Sequence, residues 1–126
     1  MPSVIENTTV DCADPYALAE FWSSVLDRPI AEGDEPGDEE VGIILDHGGA
    51  LLFIQVPERK TVKNRLHLCL TPDVPRDAEV ERLLAAGATL FDDQRNADGT
   101  GWAVLLDPEG NEFCVLRSKA ERAATA

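Results

Sequence analysis

Residues 3–12 (SVIENTTVDC) alternate apolar and polar positions and are rich in β-branched side chains, which predicts a half-buried strand. Asp14-Pro15 stops it, because Asp caps a helix and Pro is preset for the first helical position. Leu18, Phe21, Trp22, Val25 and Leu26 then recur at spacings of three and four, a stripe that should pack on a sheet with Trp22 in the core. In the segment 31–40 (AEGDEPGDEE) six of ten positions are acidic and three are Gly or Pro, so it reads as a solvated loop. Residues 41–46 (VGIILD) and 50–56 (ALLFIQV), joined by His47-Gly48-Gly49, predict a β-hairpin with His47 in solvent. The stretch 57–64 (PERKTVKN) has no apolar period and reads as a connection.

The second half repeats this order. A strand at 65–71 (RLHLCLT) leads to Pro75, a helix carrying Val80, Leu83 and Leu84, and Gly87 as its left-handed terminator. Strands follow at 88–91 (ATLF), 102–106 (WAVLL) and 112–117 (EFCVLR), the last two joined by the turn DPEGN; the tail SKAERAATA is expected to fray or form a short surface helix. Sliding the chain by 61 residues lays Ile43-Ile44-Leu45-Asp46 on Val104-Leu105-Leu106-Asp107 and Gly49 on Gly110. The chain therefore reads as two strand-helix-strand-strand-strand modules, 3–56 and 65–117, joined by the 57–64 linker in one domain over 1–118 with a tail at 118–126. One module has too little sequence to cover both faces of its sheet, so the two are expected to pair.

Charge narrows the partners. With 24 acidic and 11 basic side chains the formal net charge is −13, and such a surface repels phosphate backbones and anionic lipid. No nucleic acid or membrane partner is expected. The apolar runs 42–45 and 51–54 are far too short to span a bilayer, and no basic, then apolar leader opens the chain, so the expected compartment is cytoplasmic. Cys12, Cys69 and Cys114 are odd in number, widely spaced and set in apolar segments, which predicts reduced, mostly buried thiols.

DCADPYALAEFWSSVLDRPI, then VPERKTVKNRLHLCL, and finally DPEGNEFCVL resemble the glyoxalase-like branch of the glyoxalase, bleomycin-resistance and dioxygenase group, also called the vicinal oxygen chelate superfamily. The likeness runs from about Ile5 to Leu116. It implies an α+β fold of two paired βαβββ modules whose curled mixed sheet has helices outside and a cleft inside, a small-molecule ligand, and commonly a homodimer. Enzymes of the group generally hold a divalent metal with His and Glu from four central strands.

Alternation then assigns faces. Leu66, Leu68 and Leu70 are expected to meet the helix, which turns His67 and Cys69 to the cleft. Leu52, Ile54 and Val56 are assigned to the helix, and Leu51, Phe53 and Gln55 to the cleft; Phe113 and Val115 to the helix, and Glu112, Cys114 and Leu116 to the cleft; Thr8 and Val10 to the helix, and Asn7, Thr9 and Asp11 to the cleft. Carried over from the family, the metal positions fall on Asn7, Gln55, His67 and Cys114, of which only His67 keeps its usual type. Amides are weak ligands for transition metals, so no metal cofactor is expected; if one binds, zinc suits His67 and a Cys114 thiolate best.

The candidate residues have plain alternatives. His67 is a ligand contact or a cleft histidine satisfied by polar neighbours. Cys69 and Cys114 allow redox or nucleophilic chemistry if their strands pair, and otherwise act as packing residues. Trp102 is a cleft wall, a dimer contact or core. Glu112 suits a general base or an arginine ion pair. Arg59, Lys60, Lys63 and Arg65 guide an anionic ligand or offset the acidic loop. The leading expectation is a small-molecule-binding protein, and a lyase or isomerase if His67 polarises and Glu112 moves a proton, with Asn7, Gln55, Cys69, Trp102 and Cys114 as ligand contacts. The others are a drug-sequestering protein like the bleomycin-resistance members and a metal-dependent lyase or dioxygenase with substituted ligands.

Overall fold

The computed structural model describes residues 2–124, in which a strand-helix-strand-strand order is followed by strand-helix-strand-strand-strand and a short terminal helix. The chain divides into two units between Thr61 and Val62. No helix among the described residues is long and apolar enough to cross a membrane.

In the first unit β1 (Asn7–Cys12) lies parallel to β3 (Ala50–Gln55), which pairs antiparallel with β2 (Glu40–Ile44), giving the order β1-β3-β2. Helix α1 (Pro15–Leu26) starts as predicted: the Asp14 carboxylate accepts from the Ala17 N–H at 3.2 Å and Pro15 follows. Leu18, Ala19, Phe21, Trp22 and Val25 are buried on one side, and Phe21 meets Trp22 edge to face at 5.5 Å. Opposite them the sheet buries Val41, Ile43, Leu51 and Phe53, and each such large side chain contributes about 1.5–3 kcal/mol. The extra strand that a full module requires is reduced to a single bridge between Ile30 and Ile43.

The second unit is a complete βαβββ module. β4 (Leu68–Leu70) runs parallel to β7 (Glu112–Val115), which pairs antiparallel with β6 (Gly101–Leu106), and β6 pairs with β5 (Thr89–Arg95), for the order β4-β7-β6-β5. Helix α2 (Arg76–Ala86) buries Val80 and Leu83 and ends at Gly87, whose φ of 120° places it outside the range comfortable for other residues. Both sheets are mixed, and the class is α+β as expected.

Several expected boundaries shift, each for want of a strand partner. β1 begins at Asn7 rather than residue 3 because its partner β3 begins opposite it at Ala50, which leaves Val4 and Ile5 exposed. β4 is confined to the three residues paired with Phe113, Cys114 and Val115, so Leu66 is 88% exposed and does not meet a helix. The facing expected for β3 is reversed: Leu51 and Phe53 are buried on the α1 side with Val41 and Ile43, whereas Leu52 and Ile54 are half-buried on the other side. The offset of 61 aligns the turn residues but is one short on the strand faces, where Val41 corresponds to Ala103, Ile43 to Leu105 and Leu51 to Phe113. At the C-terminus, α3 (Lys119–Ala124) forms with a reciprocal cap: Ser118 N–H donates to Glu121 Oε1 at 2.8 Å, and Glu121 N–H donates to Ser118 Oγ at 3.1 Å.

Candidate functional site

Strand register builds the site. Phe113, Val115, Ala103 and Leu105 are fully buried and share the side of the β4–β7 sheet that α2 covers. The pleat therefore turns Cys69, Cys114, Glu112, Val104, Leu106 and Trp102 to the opposite face. Cys69 stands directly across from Cys114 in the parallel ladder, and His67, two residues before Cys69, joins them. A ring nitrogen of His67 and the two sulfurs all lie within 4.8 Å of one another. Cys114 is buried, while His67 and Cys69 are exposed. Trp102, 44% exposed, lies on the same face two residues along β6 from Val104, the partner of Cys114.

Burial pushes the Cys114 thiol up to about 11, and the adjacent Cys69 adds to the shift through charge and a hydrogen bond; Lys63 opposes it and Asp92 reinforces it weakly. Burial thus disfavours the Cys114 thiolate and with it nucleophilic chemistry at this sulfur.

Glu112 is buried at 5% exposure, and its Oε2 accepts the Asn64 backbone N–H at 3.0 Å. The Asn64 amide donates to Asn111 Oδ1 at 2.9 Å, and the Asn111 amide donates to Asp107 Oδ2 at 2.9 Å. Asp107 also accepts the backbone N–H groups of Glu109 and Asn111, which closes the DPEGN turn. The turn thus fastens the connection that enters β4, three residues before His67. Sequence reasoning missed Asn64 and Asn111, since nothing in PERKTVKN indicates a partner some fifty residues on.

Arg76 was also missed. It is 3% exposed, and its Nη1 donates to the carbonyls of Gly99, Thr100 and Gly101 at 3.3, 3.0 and 3.0 Å, holding the β5–β6 turn that delivers Trp102. Gly101, with φ of 91°, leaves no room for a side chain, because a Cβ there would collide with the Gln94 carbonyl.

In the first unit the expected residues separate. Asn7 and Thr9 pair with Ala50 and Leu52 on the face away from α1, and the Asn7 amide donates to Thr9 Oγ1 at 2.8 Å. Gln55 pairs with Cys12 on the α1 side, and its amide donates to the Ala13 carbonyl at 3.2 Å. The expectation that Gln55 shares a face with Asn7 is thus corrected: its parity follows Leu51 and Phe53. A family-type metal set drawn from Asn7, Gln55, His67 and Cys114 does not fit, because two of the four point to opposite sides of one sheet and both are amides already engaged. His47 is exposed in its turn, as are Arg59, Lys60, Lys63 and Arg65 in the connection.

One strand-helix-strand-strand unit and one complete βαβββ module, each with a mixed sheet, match solved structures of the glyoxalase/bleomycin resistance/dioxygenase fold. The sequence profile of the glyoxalase-like domain matches residues 7–116, and the chain belongs to that family, within the vicinal oxygen chelate superfamily. Among solved structures it is similar to a glyoxalase/bleomycin resistance protein/dioxygenase family enzyme from Burkholderia phytofirmans PsJN, at 22% identity and a TM-score of 0.69, over 90% of this chain and 97% of that one. The fosfomycin resistance protein FosX from Mesorhizobium loti gives 15% identity and a TM-score of 0.69 over 98% and 99% of the two chains. The oxidase ChaP-H2 gives 21% and 0.64 over 93% and 94%. At these identities the likeness establishes the fold. A search of curated protein sequences finds no match.

Proposed function

We propose that this protein binds a small organic molecule on the face of β4, β7 and β6 turned away from α2, with Trp102 as the apolar wall and His67 as the polar contact. The observation that carries the reading is a 44%-exposed indole on the same sheet face as an exposed imidazole and thiol. If the ligand is transformed, His67 is the group available to move a proton in lyase or isomerase chemistry, since it is exposed on the face. Glu112 acts as a positioning residue, because its carboxylate holds the Asn64 N–H and so sets the segment that leads to His67.

A second reading, sequestration without chemistry, draws on the net charge of −13, which favours cationic organic ligands. Both are tested by screening small organic compounds for quenching of tryptophan fluorescence, which reports on Trp102 because Trp22 is 2% exposed. Trp102→Ala is expected to weaken binding about tenfold, the loss of roughly 1.4 kcal/mol. A turnover assay then separates the readings: His67→Ala removes turnover from an enzyme and has none to remove from a trap. Ligands whose affinity is indifferent to both substitutions would refute the site.

A further inference from the structure

We propose that His67, Cys69 and Cys114 form a binding site for a thiophilic metal ion, Zn²⁺ foremost, contained wholly within the second module. The site shares its sheet face with the organic-ligand reading but does not rest on it. Its argument begins with register: a parallel ladder that pairs Cys69 with Cys114 puts two sulfurs side by side, and the chain leading into β4 adds an imidazole to the same face.

The spacing fits the ion. Tetrahedral zinc with Zn–S of about 2.3 Å and Zn–N of about 2.0 Å requires S···S of roughly 3.8 Å and S···N of roughly 3.6 Å. The three ligand atoms already lie within 4.8 Å of one another, so shifts of about 1 Å, a scale that side-chain rotation covers, bring them to these spacings. The donor set also fits. Two thiolates and a neutral imidazole cancel the charge of a divalent ion and select zinc or cuprous copper over magnesium or calcium, which demand oxygen. On coordination each thiol gives its proton to solvent, and no oxidant or reductant is involved. Cys114 forms the buried floor, whereas Cys69 and His67 stand at the exposed rim, so the ion enters from the rim and its fourth position faces out for water or a ligand.

The site keeps two of the four positions that the family resemblance implies, His67 and Cys114, and departs from it in the rest. It uses Cys69, which is none of those four positions, and dispenses with Asn7 and Gln55. The first module cannot duplicate it: Asn7, Thr9 and Leu52 hold the places of His67, Cys69 and Cys114.

The test uses untagged, reduced full-length protein titrated with Zn²⁺ against a chromophoric chelator, and with Co²⁺ read by its thiolate charge-transfer absorption. One ion per chain with a thiolate band is expected. Cys69→Ser, at an exposed position that leaves the core intact, should weaken zinc at least about tenfold and cut the charge-transfer intensity by roughly half. His67→Ala should weaken zinc comparably but keep the sulfur band. A double Asn7→Ala, Gln55→Ala variant should bind as the parent does. No stoichiometric ion in the reduced protein, an undiminished band in Cys69→Ser, or lost affinity in the double variant would each overturn the site. Running the organic-ligand screen in the presence of a metal chelator keeps the two readings apart, so a failure of either is visible without the other.

Discussion

The two modules use one backbone plan to different ends. In each, a parallel pair of strands turns one face away from its helix: Thr9 lies across from Leu52 in the first as Cys69 lies across from Cys114 in the second. Asn7 precedes Thr9 as His67 precedes Cys69. In the first module the amide donates to the neighbouring hydroxyl, and a leucine takes the third place. In the second the same places bring imidazole and two sulfurs together. Comparable turns diverge as well. Asp46 pairs with Arg28 at 2.6 Å, whereas Asp107 organises DPEGN and, through Asn111, reaches Asn64. Backbone frame and chemistry are therefore separable here: the frame is repeated, and a few side chains decide which copy can hold a ligand.

The largest test of that contrast is in the cores. Phe53→Ala and Phe113→Ala each remove a fully buried ring and should each cost about 3–5 kcal/mol in chemical denaturation. Only Phe113→Ala, on β7 beside Cys114, should also degrade Co²⁺ binding; equal loss in Phe53→Ala would break the claim that the second module acts alone. A smaller effect is expected at Glu112, whose counterpart on β3 is Ala50. Glu112→Ala strands the Asn64 N–H and should cost about 1–3 kcal/mol, while Glu112→Gln keeps an acceptor and most of the stability, as thermal melts would report.

The helix starts give the finest comparison. α1 is capped by its own Asp14, so Asp14→Ala should cost about 1 kcal/mol. α2 has Pro75 at that position and no side-chain cap there; instead Glu121 Oε1 accepts the Arg76 N–H at 2.7 Å. The Ser118 N–H holds the Glu121 carboxyl below the usual glutamate value of 4.5, burial opposes this, and the Arg76 N–H adds to it. A depressed folded pKa contributes stability present above 4.5 and lost as pH falls through the folded value. Urea denaturation at pH 6 and pH 3 should therefore show a greater acid loss in the parent than in Glu121→Gln; equal losses would remove the cap from the account.

Much of the frame was legible because its signals are local. Asp14-Pro15, the α1 stripe and Gly87 each act within a turn or two of chain, and the structure realises all three. Strand facing was legible only where one side of a strand is polar, as in NTTVDC. In ALLFIQV both sides are apolar, so alternation carries no parity, and pairing of Phe53 with Val41 and of Leu51 with Ile43 decided it. The alternating VGII of β2, read together with the hairpin register, was the signal that would have turned Gln55 to the correct side.

By itself the sequence determined the helix starts, the order of elements in the second module and the acidic character of the chain, since these follow from propensity, periodicity and charge within short windows. Tertiary structure alone decided that Cys69 and Cys114 face one another, that Asn64 is held by Glu112, and that Arg76 grips the turn before Trp102. Those contacts join residues from about 24 to 48 positions apart, and their geometry depends on ladder register, in which one step sends a side chain to the other face.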